Sequence, residues 1–257
     1  MQRMTLLSRY GYEIPCTLQL SGAKKTLLIC HGFGSSKDSP MVQALREEMP
    51  RIGVDTFSFD FPQHGESQAD GSYLRVPCCL SDLKTAEENI LQLSPNTELI
   101  YFGSSFGAYI TLLYLANCFP SGTHAFLRSA AIDMHQILNG FLSQGQLFWH
   151  PRNADSQQDY CAMDSIYGRP FYITRAFLED LAQNNLLKLY AKQREFTLSM
   201  IHGALDSTAP LQKAQDFARQ AGASLHILPQ AEHRLMGVGE LEAVLQALIV
   251  FLNQSKN

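Results

Sequence analysis

The sequence predicts a doubly wound, mostly parallel α/β sheet that carries a small insertion. Three observations predict it. Short apolar runs recur at residues 26–30, 55–59, 98–102, 124–131, 196–201 and 224–228, the pattern of strands covered on both faces. Segments with helical spacing lie between them, as at Leu80, Leu83, Ala86, Ile90 and Leu93. Turn-rich loops holding His, Ser and Asp follow the strand runs, and in such sheets the chemistry gathers at the carboxyl ends of the strands.

Taken in order, residues 3–20 alternate loosely around Tyr10-Gly11-Tyr12 and read as an antiparallel hairpin at a sheet edge. The run at 26–30 leads into the loop His31-Gly32-Phe33-Gly34-Ser35-Ser36, then a helix over 40–49 with Pro40 in its first turn. The run at 55–59 opens onto Asp60-Phe61-Pro62-Gln63-His64-Gly65-Glu66-Ser67, and a helix over 80–93 stops at Ser94-Pro95-Asn96. The run at 98–102 meets Gly103-Ser104-Ser105-Phe106-Gly107, and a helix begins at about 108. Residues 133–194 lose the alternation; they form an insertion over the carboxyl edge, with helical pieces at 134–142 and 174–192. Alternation returns with the strand from 196, a helix after Pro210, the strand at 224–228, and a closing helix striped by Leu241, Val244, Leu245, Leu248 and Leu252.

Bulk properties narrow the function. A length of 257 residues suits one large α/β domain, and 46% hydrophobic residues suffice for a core. A net charge of −4 gives no footprint for nucleic acid. The longest apolar stretches fall short of a membrane span, and the first residues hold no apolar stretch of signal-peptide length, so neither feature is expected. Cys16, Cys30, Cys78, Cys79, Cys118 and Cys161 show no CxxC or zinc spacing; they read as reduced thiols, which points to the cytosol. The histidines show no HxH or HExxH spacing, so no metal is expected.

Strand, G-x-S-x-G, helix is the context of a nucleophile elbow. The flanking glycines let strand and helix pass closely, and the helix N-terminus favours developing negative charge at Ser105. A serine hydroxyl needs a base and a third group that orients the base. Ser105, then Asp206, then His233, each after a strand run, supply them in one order. Asp133, in the loop after the preceding strand, competes with Asp206 for the acid's place. His31 and His202 sit in HG dipeptides and read as loop braces, and His64 as a neighbour of the pocket.

On His31-Gly32-Phe33-Gly34, Asp60-Phe-Pro-Gln-His64-Gly65-Glu-Ser67, Gly103-Ser-Ser105-Phe-Gly107, His202-Gly-Ala-Leu-Asp206 and Glu232-His233, the chain resembles the serine hydrolases of the α/β-hydrolase superfamily. Within it the loops are similar to those of feruloyl-esterase, monoacylglycerol-lipase and serine-aminopeptidase members. The resemblance implies an eight-stranded α/β-hydrolase sheet built by residues 1–132 and 195–257, with 133–194 as cap. It also implies Ser105 as nucleophile, His233 as base, Asp206 as acid, and the backbone N–H groups of Phe33 and Phe106 as oxyanion donors, with no cofactor. A small-molecule carboxylic ester is the expected substrate. An amidase or aminopeptidase, a thioesterase, and a non-catalytic ligand-binding relative stay open. The cap's aromatics either line an acyl or aryl pocket or seal the cap to the sheet. Phe148, Trp149 and Tyr172 are the candidates for the substrate wall; Phe141, Tyr160, Tyr167 and Phe171 share the segment.

Overall fold

The computed structural model describes residues 1–118, 120–151, 159–164, 170–191 and 196–254, with Asp164 and Phe171 described by their backbone alone. The chain opens with the expected hairpin, β1 (Gln2–Leu7) and β2 (Glu13–Gln19), paired antiparallel. Then come β3 (Lys25–Cys30), α1 (Pro40–Glu48), β4 (Val54–Phe59), α2 (Val76–Leu93), β5 (Glu98–Ser104), α3 (Phe106–Asn117) and β6 (His124–Arg128). Within the stretch expected as an insertion come α4 (Met134–Ser143), β7 (Trp149–His150), β8 (Tyr160–Asp164), β9 (Pro170–Thr174), α5 (Arg175–Gln183) and α6 (Leu186–Leu189). The chain closes with β10 (Thr197–Gly203), α7 (Leu211–Ala221), β11 (Ser224–Leu228) and α8 (Glu240–Gln254).

Eight strands form one sheet in the order β1-β2-β4-β3-β5-β6-β10-β11, parallel from β4 onward. The order reverses at β3, whose neighbours are β4 and β5, and this is where an open α/β sheet leaves a crevice. Register aligns the strand ends there: Cys30 stands opposite Gly103, and Ser104 opposite Arg128. One apolar layer joins the sheet to α2, α3 and α7, and another joins it to α1 and α8 through Ile100, Phe102 and Phe126. α3 is buried from Phe106 through Leu115, which suits its nearly all-apolar sequence.

Four boundaries differ from expectation. α2 starts at Val76, with Pro77 in its first turn, because Asp180 accepts the Val76 N–H at 3.1 Å and caps it. The strand expected over 124–131 ends at Arg128, since Ser129 takes a left-handed φ of 47°. The single helix expected over 174–192 is two, divided at Asn184 and Asn185; Asn185 caps the second through Lys188 N–H. The insertion also holds a three-stranded antiparallel sheet, β7-β8-β9, where no strand was expected.

Candidate active site

β5 ends at Ser104 and α3 begins at Phe106, so the chain turns over Ser105 alone. Ser105 adopts φ 52° and ψ −110°, a conformation that costs a non-glycine residue about 1–3 kcal/mol. Its N–H donates to the Arg128 carbonyl at 2.9 Å, and its carbonyl accepts from Tyr109 N–H at 3.1 Å and Ala131 N–H at 3.3 Å. These bonds hold the strained residue in place. A Cβ on Gly107 would run into the carbonyl oxygens of Cys30 and His31, so only glycine lets α3 pass β3 this closely.

Asp206 follows β10 and His233 follows β11. Their loops meet because position 203 is glycine; a Cβ there would collide with the Ala231 and Glu232 carbonyls. His233 Nε2 lies 3.0 Å from Ser105 Oγ, and its Nδ1 lies 2.7 Å from Asp206 Oδ2. Ser129 donates its hydroxyl to the His233 carbonyl at 2.8 Å, fixing the loop from beneath. Asp206 is buried. Burial alone would push its carboxyl up, but hydrogen bonds from His202, His233 and Ala209 N–H hold it well below the usual carboxylate range. Its Oδ1 accepts from Thr208 N–H at 3.0 Å and Ala209 N–H at 2.8 Å. His202 Nε2 donates to the Ala209 carbonyl at 2.7 Å and stands 3.2 Å from Asp206 Oδ2.

The competing acid sits elsewhere. Asp133 caps α4 by accepting Gln136 N–H at 3.1 Å, and it pairs with Lys213 at 3.1 Å.

The loop after β3 is braced from two sides. His31 Nε2 accepts Phe61 N–H at 3.2 Å and Nδ1 donates to the Gly32 carbonyl at 2.8 Å, a pattern only the neutral ring can make. Burial accordingly pushes its pKa down to about 4. Asp60 accepts Lys37 N–H at 2.7 Å and Glu66 N–H at 2.9 Å, so one buried carboxylate fastens the loops after β3 and β4 together. Phe33 packs its ring on Phe106 at 5.3 Å and on Phe177 of α5 at 5.9 Å. Phe106 opens α3, where its N–H has no acceptor within the helix.

Comparison with known proteins bears on the family and the fold. The family described as "Serine aminopeptidase, S33" matches residues 21–241. The chain belongs to this family of α/β hydrolases. Among solved structures, Est1E from Butyrivibrio proteoclasticus with ferulic acid bound superposes with a TM-score of 0.78 at 18% identity, covering 97% of this chain and 99% of that one. Alpha/beta hydrolase domain-containing protein 10 from mouse gives 0.76 at 16% identity over 100% of both chains. An esterase of Pyrococcus furiosus gives 0.73 at 18% identity, covering 98% of this chain and 90% of that one. At such identities these likenesses bear on the fold. No curated protein sequence matches.

In this α/β hydrolase a cavity of about 530 Å³ opens beside Ser105 and His233. Its cap side is built by Met134, Ile137 and Phe141 of α4 and Met163 of β8. On the other side it runs past Phe102, Met41 and Val42 toward α1. Phe33 lines it, and Arg128 and Arg234 are its charged residues among those described.

The three residues expected on the substrate wall do not line this cavity. Phe148 is 64% exposed. Trp149 carries the Arg175 guanidinium over its ring at 4.2 Å. Tyr172 packs edge-on against Tyr160 at 4.7 Å, and its backbone is gripped by Gln63, whose amide accepts Tyr172 N–H at 2.9 Å and donates to its carbonyl at 2.9 Å. Trp149 and Tyr172 lie in the short antiparallel strands β7 and β9, and their partners there are Arg175, Tyr160 and Gln63. Of the other cap aromatics, Phe141 does reach the cavity, Tyr167 lies outside the described residues, and only the backbone of Phe171 is described. Met134, Ile137 and Phe141, spaced three and four apart on one face of α4, were the available signal for the wall.

Proposed function

We propose that the chain hydrolyses carboxylic esters of small to medium acyl or aromatic acids through an acyl-enzyme, with no cofactor. The observation that carries this reading is the hydrogen-bonded series from Asp206 Oδ2 through His233 to Ser105 Oγ, at 2.7 and 3.0 Å, ending at a cavity. Ser105 Oγ attacks the ester carbon while His233 Nε2 takes its proton. Asp206 holds Nδ1–H and stabilises the imidazolium. The Phe33 and Phe106 N–H groups face the oxyanion, each such donor being worth about 3 kcal/mol of barrier. His233 returns the proton to the departing alcohol, and water, activated by the same ring, frees the acid. The six free thiols fit a reducing, cytosolic setting.

The family's description raises aminopeptidase chemistry as the rival. A free α-ammonium group calls for a carboxylate near the scissile bond. Among the described residues the cavity is lined by two arginines and by no Asp or Glu, which favours the ester. The test combines a fluorophosphonate probe with short p-nitrophenyl esters, thioesters and aminoacyl amides ranked by kcat/KM. Labelling and ester turnover, both lost in Ser105→Ala, are expected. A native protein that resists the probe overturns the reading, and an amide ranked first replaces the ester with an amide.

A further inference from the structure

Arg128 ends β6, directly opposite Ser104. It lies two residues beyond Phe126 and so shares the sheet face that meets α1 and α8. The side chain is only 7% exposed. Its one hydrogen bond among the described residues runs from Nη1 to Ser104 Oγ at 2.6 Å. Nε is buried without a partner. No carboxylate among the described residues stands within 4.0 Å of the guanidinium.

A buried guanidinium left in this state is costly unless its donors are met. Burial lowers its pKa only to about 10, so it stays cationic at neutral pH. The two carboxylates whose fields reach it are engaged elsewhere: Asp206 with His202, His233 and two backbone N–H groups, and Glu240 with Gly237 N–H at 2.7 Å. What Arg128 does face is the cavity, whose wall it forms together with Ser105, and where the exposed Arg234 adds a second positive charge. In a chain of net charge −4, this pocket is cationic.

We propose that Arg128 is the anion-binding residue of the pocket, and that the substrate is an ester whose acyl group bears a carboxylate a few atoms from the scissile carbonyl: a half-ester of a short dicarboxylic acid. This rests on the serine-hydrolase reading and names its substrate class. Nε is sealed from the cavity, so a ligand carboxylate meets the guanidinium at its Nη end, where two N–H groups match the two oxygens. The span is short because the guanidinium itself bonds Ser104 Oγ at 2.6 Å, one residue before the nucleophile. The apolar cap wall of Met134, Ile137, Phe141 and Met163 then faces the alcohol.

The test compares monoethyl glutarate with its uncharged amide analogue, ethyl 4-carbamoylbutanoate, in a pH-stat at fixed salt. The wild-type enzyme is expected to prefer the half-ester by about tenfold or more in kcat/KM, the size of a charge-assisted bond to a ligand. Arg128→Gln brings the ratio near one, and Arg128→Lys leaves it between. Equal turnover of the two esters by the wild type overturns the proposal, as does a preference that survives Arg128→Gln. Should that variant fail to fold, free glutarate on the wild type decides: competitive inhibition of the neutral ester supports the site, and its lack overturns it. Fluorophosphonate labelling of Ser105 is run alongside. Labelling without anion preference removes only this proposal, whereas a protein that does not label removes the hydrolase reading beneath it.

Discussion

The acid of the proposed triad is decided by single side chains. Asp206 and Asp133 both lie in loops at the carboxyl edge, and in the sequence only the His202-Gly-Ala-Leu-Asp206 setting after a strand run favours Asp206. Asp206 accepts from His233 Nδ1, while Asp133 is spent on a helix cap and a half-exposed pair with Lys213. Asp206→Asn is therefore expected to lower kcat by about 10⁴-fold, because an amide in that place stabilises the wrong tautomer. Asp133→Asn keeps a capping oxygen and is expected to stay within a few-fold of wild type. Steady-state kinetics on one p-nitrophenyl ester checks both, and a crippled Asp133→Asn with an active Asp206→Asn would reverse the assignment. Ser105, Asp206 and His233 could be picked out beforehand because each is a reactive residue type placed just after a strand run. Arg128 could not, because one arginine at the end of an apolar run looks like any strand end. Its meaning comes from what fails to surround it.

Elements differ in what they contribute, and two buried carboxylates show this. Asp60 joins the loops after β3 and β4 and stands 3.5 Å from the buried Lys37 ammonium. Asp180 joins α5 to α2 by a two-point pair with Arg75, at 2.5 and 2.7 Å, and by capping Val76. Asp60→Ala leaves the Lys37 and Glu66 N–H groups without their acceptor, although Lys37 Nζ keeps Asp38 and Glu66, and Asp180→Ala leaves Arg75 and the Val76 N–H without theirs, so each is expected to cost about 1–3 kcal/mol in urea unfolding. The difference lies in activity. Asp60→Ala loosens the loop that carries Phe33 and lowers kcat, whereas Asp180→Ala acts away from the cavity and leaves kcat near wild type. Equal losses of kcat in the two would refute this division. The main-sheet elements were legible because buried parallel strands write themselves as unbroken apolar runs, such as the one at 26–30. The cap's strands were not: β7 is two residues long, and β8 and β9 mix polar and apolar side chains. Trp149 and Tyr172 read as pocket aromatics for the same reason, since composition says that a ring will be covered but not by what.

At the scale of the whole molecule, buried titratable groups set how stability responds to acid. His31 and His64 are enclosed, and burial, first among the causes, pushes their pKa values down to about 4 and about 3. Unfolded, each titrates near about 6.5. Between those values the unfolded chain binds more protons, so the contribution of each is complete above about pH 6.5 and is lost as pH falls, by about 1.4 kcal/mol per unit. Asp82 works in the opposite direction. It is buried and holds the hydroxyls of Ser8 at 2.8 Å and Tyr12 at 2.6 Å. Burial outweighs those two bonds and raises its pKa to about 6, so its contribution is present at low pH and is lost as pH climbs through about 6. Asp60, also raised by burial, leans the same way. The carboxylates held low, Asp38, Glu66 and Asp206, lean with the histidines: their contribution is present above their unfolded values and is lost as pH falls past them. From about pH 6 down to about pH 4 Asp82 and Asp60 thus offset part of the histidine loss, and the decline should be shallower than two histidines alone would give. Urea midpoints taken from about pH 7 to about pH 4.5 are expected to fall, and Asp82→Asn to steepen the fall by about 1.4 kcal/mol per pH unit below pH 6. An unchanged or shallower slope in that variant would mean that Asp82 is ionised in the folded protein.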